Sequence, residues 1–166
     1  MAGLVMVAAV AACGDNSGDA LSKNDYVAEA NAICAATNDV VNAEFEEFFM
    51  TTFADLPEGA NTPEEAHTVI EAMDAMFDGA ITPSLEEQIA ELRALGAPQG
   101  DAEALTALYD DFDRALDAYN ATLDDAVAGD EDAMESIGSG SAEAVFDDVN
   151  QRARDYGLTE CGAQNA

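Results

Sequence analysis

The chain has 166 residues, the length of one ordinary domain, and 49% of them are hydrophobic, so it can bury a core. It carries 35 acidic residues against five basic ones, which gives a formal net charge of −30. This balance excludes nucleic acid as a partner, because phosphate binding relies on Lys and Arg. It favours cationic proteins, cell-wall components or metal ions, unless the acidic residues serve only solubility.

The N-terminus shows the pattern of an export signal. The apolar run AGLVMVAAVAA covers residues 2–12 and gives way to polar residues directly after Cys13. It is shorter than the roughly 18–20 apolar residues that span a bilayer, and it matches the apolar region of a signal peptide. The residues VAAC at 10–13 resemble the bacterial lipobox. We therefore expect residues 1–12 to be removed, Cys13 to carry lipid, and residues 13–21 to form a flexible tether. The alternative is a buried helix of a cytosolic protein, since no charged residue precedes Asp15.

With Cys13 lipidated, Cys34 and Cys161 remain, and an even number of cysteines in an exported chain predicts a disulfide. Closing so long a loop would stabilise the fold by roughly 4–5 kcal/mol in the chain-entropy model. The alternative is two buried free thiols that pack as small apolar residues.

The first helical segment begins at LSKND. Ser22 and Asp25 have the spacing of a capping box, Leu21 and Tyr26 are placed for a hydrophobic staple, and the apolar pattern ends near Phe53. The predicted buried face comprises Val27, Ala30, Cys34, Val41, Phe45, Phe48 and Thr52.

The second segment opens with NTPEE, in which Thr62 caps, Pro63 suits the first helical position and Glu65 completes the box. We expect Pro83 to interrupt this segment, either as a kink or as a restart capped by Thr82. GAPQGD ends it near residue 96.

The third segment starts at Asp101, predicted to cap it, and stops at Gly129. The fourth segment contains GSGS at 138–141, which indicates a break or a bend, and ends at Gly157. Four amphipathic segments joined by short loops predict an all-α fold, an antiparallel up-down four-helix bundle over residues 22–162 with a tail at 163–166. In such a bundle Cys34 and Cys161 lie at the same pole.

The stretches LSKNDYVAEANAIC, LRALGAPQGD and YGLTECG resemble a family of small actinobacterial lipoproteins and secreted helical proteins. The resemblance covers most of residues 21–162. It implies an exported helical body with one cysteine in the first helix and one at the end, and it implies no catalytic residues.

No motif specifies catalysis or a cofactor. His67 is the only histidine, and with Glu64 it gives a single i, i+3 pair, whereas di-iron carboxylate bundles need that pair on two helices. Acidic clusters at 110–113, 123–126 and 129–136 lack EF-hand spacing. We therefore predict no catalytic residue, no metal site and no cofactor.

The four tyrosines and six methionines could line a ligand cavity, although helical spacing is more typical of core positions.

The leading hypothesis is a non-enzymatic protein on the outer face of the cell membrane, held by lipid, or else secreted. It would act in interactions or envelope maintenance, with its acidic surface meeting a cationic protein or the cell wall. The alternative is a protein that binds a small ligand or a cation in a cavity between helices.

Overall fold

The computed structural model describes residues 21–54 and 62–163, and within these ranges the secondary structure is helical, with no β-strand. The all-α prediction is confirmed. The predicted lipidation site Cys13 lies outside the described residues. The helices are α1 (Lys23–Thr52), α2 (Pro63–Met76), a π segment (Phe77–Ile81), α3 (Thr82–Ala94), α4 (Ala102–Val127), α5 (Glu131–Ser139), a 3-10 segment (Ser141–Phe146) and α6 (Asp147–Tyr156). We call α5, the 3-10 segment and α6 together the fourth segment.

Two helix starts follow the predicted capping chemistry. The Ser22 hydroxyl accepts from the backbone N–H of Asp25 at 3.2 Å. Thr62 and Glu65 form a reciprocal capping box ahead of α2, and Pro63 is the first residue of that helix. Each such cap typically contributes about 1 kcal/mol, because it satisfies N–H groups that have no partner inside the helix.

The chain remains helical through Pro83, and the predicted restart capped by Thr82 does not occur. A π turn over Phe77–Ile81 precedes the proline, and the N–H of Thr82 bonds to the Phe77 carbonyl five residues earlier. Pro83 therefore lies in the first turn of α3, where a missing N–H costs little. Thr82 makes no cap, and its hydroxyl instead accepts from the Asn120 amide at 3.1 Å.

The prediction that Asp101 caps α4 through its side chain is wrong. Asp101 holds the N-cap position but makes no capping bond. Its carboxylate accepts from the Tyr156 hydroxyl at 2.6 Å and lies 3.7 Å from the Lys23 ammonium. These contacts join the starts of α1 and α4 to the end of α6. The hydrogen bond from Tyr156 to the carboxylate is charge-assisted and therefore stronger than a neutral one, whereas the exposed ion pair with Lys23 contributes little.

Glycines with positive φ end the later helices. Gly129 has a φ of 90° and Gly157 has a φ of 111°, as expected for helix stops. Gly140, with a φ of 75°, separates α5 from the 3-10 segment, so the GSGS stretch is a break.

The buried apolar side chains form two clusters. The disulfide-end core consists of Tyr26, Ala30, Cys34, Ile89, Leu92, Leu105, Leu108, Tyr109, Ala115, Val149, Ala153 and Leu158. The groove-end core consists of Val41, Phe77, Ile81, Tyr119, Leu123 and Ala142. Helix α4 packs against both α2 and α3 and also against the fourth segment, while α1 packs on α2, the π segment and α3.

Candidate functional site

The two predicted partner cysteines meet. The sulfur atoms of Cys34 and Cys161 lie 2.02 Å apart and their Cα atoms 4.9 Å apart, which is a disulfide distance. Cys34 is completely buried in the disulfide-end core. The pair joins α1 to the chain that follows α6.

Two asparagines of α1 hold the same chain segment, and sequence reasoning missed both. The Asn31 amide donates to the Gly157 carbonyl and accepts from the Glu160 N–H, each at 3.0 Å. The Asn38 amide donates to the Glu160 carbonyl at 2.9 Å. Side-chain amides seven residues apart on one helix face could have suggested this role, but only the fold shows what they bind.

Three tyrosines form a structural cluster at the disulfide end. The hydroxyls of Tyr26 and Tyr109 share a buried hydrogen bond, and the rings of Tyr26 and Tyr156 meet edge to face. Burial raises the pKa of all three phenols, and for Tyr156 the Asp101 carboxylate adds to the effect. They stay protonated at neutral pH and can act there as hydrogen-bond donors.

The acidic cluster at 110–113 is engaged in ion pairs. Arg93 contacts Asp110 at 2.8 Å and Asp113 at 2.9 Å, while Asp111 pairs with Arg114 and Arg152. The hydrogen bond from Arg152 is the main reason why the pKa of Asp111 lies below its ordinary value.

Two further candidates for metal chemistry, Asp130 and His67, have local partners. The Asp130 carboxylate caps α5 by accepting from the Ala133 N–H at 3.0 Å. His67 is partly exposed and faces Glu71 at 3.5 Å. Over residues 21–54 and 62–163, no three His, Cys, Asp or Glu side chains come together in a way that could hold a metal ion.

A groove of about 480 Å³ is lined by residues of α1, the π segment, α3, α4 and the fourth segment. Its lining is Asn38, Val41, Phe45, Phe77, Ile81, Leu85, Gln88, Phe112, Tyr119, Gly140, Glu143, Ala144, Phe146, Asp147, Asn150, Cys161 and Ala163. Small-molecule sites in proteins usually measure about 300–1,000 Å³ and combine an apolar lining with a few polar groups. The groove has both properties.

Aromatic rings run along the groove as one connected chain. Phe45 and Phe77 have ring centres 6.2 Å apart, and Tyr119 follows Phe77 at 4.9 Å. Phe146 lies 5.9 Å from Tyr119, and Phe112 lies 5.8 Å from Phe146. The sequence pattern predicts Phe45 on the buried face of the first helix, and only the tertiary fold joins it with the other four rings into one surface.

Gln88 is the unusual polar residue of the site. It is 4% exposed, and within the described part of the chain its side chain has no hydrogen-bond partner. Every wholly inaccessible side-chain nitrogen or oxygen in that part has a partner, so the amide of Gln88 must face open space. A separate cavity of about 20 Å³ beside it has room for one water molecule. One water cannot satisfy the two donors and two acceptor lone pairs of an amide, which leaves hydrogen-bonding capacity for the groove.

The mouth of the groove is acidic. Glu143 and Asp147 are exposed on the 3-10 segment and at the start of α6, and the groove lining includes no Lys, Arg or His. Burial, together with the charge of Glu143, raises the pKa of Tyr119 to about 12. The phenol of Tyr119 is therefore neutral at physiological pH.

None of the helices in the described ranges is both long enough and apolar enough to cross a bilayer. The chain was compared with protein-family models, with curated proteins and with solved structures, and none of these comparisons found a match.

Proposed function

We propose that this protein is a non-enzymatic binding protein on the outer face of the cell membrane, and that it holds a small ligand in the groove between α1 and the fourth segment. The observation that carries the proposal is the groove itself, with its volume of about 480 Å³, its five aromatic side chains and the amide of Gln88, which has no partner among residues 21–54 and 62–163. A buried amide without a partner is costly, and a ligand that completes its hydrogen bonds would remove that cost.

The sequence supports attachment by lipid. VAAC places Cys13 where the lipobox cysteine stands, and residues 13–21 would act as the tether. The disulfide distance between Cys34 and Cys161 suits an oxidising compartment. The resemblance to small actinobacterial lipoproteins and secreted proteins, which we retain as a proposal, adds a third argument. Secretion without the anchor is the alternative.

The arrangement of the two cores supports an antiparallel up-down four-helix bundle. The disulfide-end core combines residues from the starts of α1 and α4 with residues from the ends of α3 and α6. The groove-end core takes later residues of α1 and α4 together with the π segment. Successive helical segments thus contribute opposite ends to the same core, as expected when each segment runs antiparallel to the one before it.

A second candidate function is an interaction module for a cationic protein or the cell wall, and the distribution of basic residues favours it. Lys23, Arg93, Arg114 and Arg152 each contact a carboxylate, and Arg154 donates to the Gly162 carbonyl. Many of the 35 acidic side chains therefore have no base to offset them. Capture of a partner from membrane extract that is lost on raising salt would support this function.

Native mass spectrometry of the protein purified from its host tests the ligand proposal. We expect a bound small molecule that is released on denaturation. Ala144→Trp, which places an indole at an exposed position in the groove lining, should abolish the extra mass. Ala121→Trp on the exposed face of α4, outside the groove, is the matched control and should retain it. A bare protein mass for the natural chain and both variants would contradict the proposal.

A further inference from the structure

We infer that the groove binds a small organic cation with an apolar body, such as a protonated or quaternary amine, with its charge beside Glu143 and the aromatic rings and a polar group at Gln88. This inference rests on the proposed ligand-binding function and adds the charge and chemical class of the ligand.

The charges around the groove select against anions. Glu143 and Asp147 contribute carboxylates to the lining, and the lining contains no basic side chain. Arg93 pairs with Asp110 and Asp113, and Arg114 and Arg152 pair with Asp111, while Arg154 donates to the Gly162 carbonyl. The charged side chains of the lining itself would therefore repel a carboxylate or phosphate ligand and attract a cation.

The aromatic chain adds a second interaction that only a cation uses fully. The faces of Phe, Tyr and Trp rings carry partial negative charge and attract a cation within about 6 Å of the ring centre. Successive ring centres from Phe45 to Phe112 lie 4.9–6.2 Å apart, so a cation among them is close to more than one ring. Tyr119 contributes to this surface as a neutral phenol.

Gln88 fixes the other end of the ligand. Gln88 is 4% exposed as a residue, and its amide lacks a partner among the described residues without being wholly inaccessible. An amide both donates and accepts, so it can bind a hydroxyl, a carbonyl or another amide. The expected ligand therefore carries its cationic group towards the acidic mouth and a neutral polar group at the floor.

A matched set of probes tests the charge. Benzyltrimethylammonium, its uncharged isostere neopentylbenzene and the anion benzylsulfonate share one apolar body and differ in charge. Titration calorimetry on the full chain at physiological ionic strength should show the ammonium binding about tenfold more tightly than the isostere. The sulfonate should not bind measurably.

Substitutions inside and outside the groove show where on the protein the ammonium binds. Glu143→Gln and Phe112→Leu should each weaken ammonium binding about threefold, because they remove a mouth charge and a ring respectively. Glu91→Gln removes the same charge from an exposed position of α3 outside the groove and should leave the affinity unchanged. A tyrosine-based assay of unfolding on each variant checks that the fold is intact.

Three results would overturn the inference. They are equal affinities for the ammonium and its isostere, equal effects of Glu91→Gln and Glu143→Gln, and no binding of the ammonium. If a ligand still co-purifies with the natural chain but not with Ala144→Trp, the proposed function stands while the inference fails. If no ligand co-purifies with either chain, the proposed function itself fails.

Discussion

The disulfide end and the groove end of the helical body differ in how α1 meets the fourth segment. At the disulfide end the Cys34–Cys161 pair and the amides of Asn31 and Asn38 hold α1 against the chain that follows α6. At the groove end the fourth segment is broken at Gly140, and open volume separates it from α1. Asn38 and Cys161 belong to the groove lining, so the groove begins at these ties and opens beyond them, where the structure records no such tie between α1 and the fourth segment within the described residues.

The largest expected effect on stability comes from removing the Cys34–Cys161 disulfide. Replacing Cys34 and Cys161 together by Ser should lower the free energy of unfolding by about 4 kcal/mol, because the unfolded chain regains its loop freedom. Urea unfolding of the variant, followed by circular dichroism, measures the change. The natural chain in reductant should match the variant, and unchanged stability in both would show that the pair does not hold the disulfide end.

Alkaline pH should ionise Tyr119, at the groove end, before Tyr109, at the disulfide end, in the folded chain. The pKa of Tyr119 in the folded chain is about 12, above its ordinary value of 10.0, while that of Tyr109 is raised more strongly. A raised folded-state pKa contributes stability that is complete below pH 10 and is lost as pH rises through the folded value. The loss from Tyr119 should be about 2–3 kcal/mol.

Tyrosinate absorbance and unfolding free energy, followed together from pH 9 to about pH 12, check this. Tyr119→Phe should remove part of the alkaline loss. The folded-state ionisation step near pH 12 should disappear in Tyr119→Phe and persist in Tyr109→Phe, and the reverse result would contradict the assignment.

Alanine substitutions at two glycines should change stability in opposite directions, because one glycine is closely packed and the other borders open space. A Cβ atom on Gly162 would lie 2.5 Å from the Asn150 carbonyl oxygen, so Gly162→Ala should destabilise by about 2 kcal/mol. A Cβ atom on Gly138 in α5 meets nothing within 4 Å, and Gly138→Ala should stabilise by about 0.5–1 kcal/mol through helix propensity. Thermal unfolding of both variants measures the difference, and shifts of the same sign would contradict the contrast.

Removing a hydrogen-bonded hydroxyl at the disulfide end should lower the free energy of unfolding. Tyr109→Phe removes the partner of the buried Tyr26 hydroxyl and should lower stability by about 1–2 kcal/mol. Urea unfolding at neutral pH is the measurement. Tyr119→Phe provides a control ring of the same size at the groove end and should cost less, because the Tyr119 hydroxyl faces only the Met73 sulfur at 3.9 Å.

The smallest effect on stability is expected at Gln88, whose amide has no partner in the described part of the chain. Gln88→Met keeps the side-chain length and removes an amide that has no partner in the described part of the chain, so stability should be unchanged or rise by up to about 1 kcal/mol. The same variant should lose affinity for the natural ligand. A clear loss of stability would show that the amide serves the fold rather than the groove.

Local signals in the sequence predicted much of the secondary structure. Ser22 and Thr62 with their acidic partners, and Gly129 and Gly157 at the later ends, specify helix boundaries through contacts within a few residues. Where a side chain had a stronger distant partner, local logic failed. Asp101 binds Tyr156 and Lys23 instead of capping α4, and Thr82 binds Asn120 instead of capping α3. A pattern of neighbouring residues does not show that a side chain has a partner far away in the sequence.

The sequence by itself determined the helices, their apolar faces and the acidic character of the surface, because these depend on residue type and on spacings of three and four positions. It also predicted that Cys34 and Cys161 share one pole. Only the tertiary structure decided that Asn31 and Asn38 hold the end of the chain, and that five aromatic residues and Gln88 line one groove. Those residues come from helices far apart in the chain, and their proximity depends on how whole helices pack.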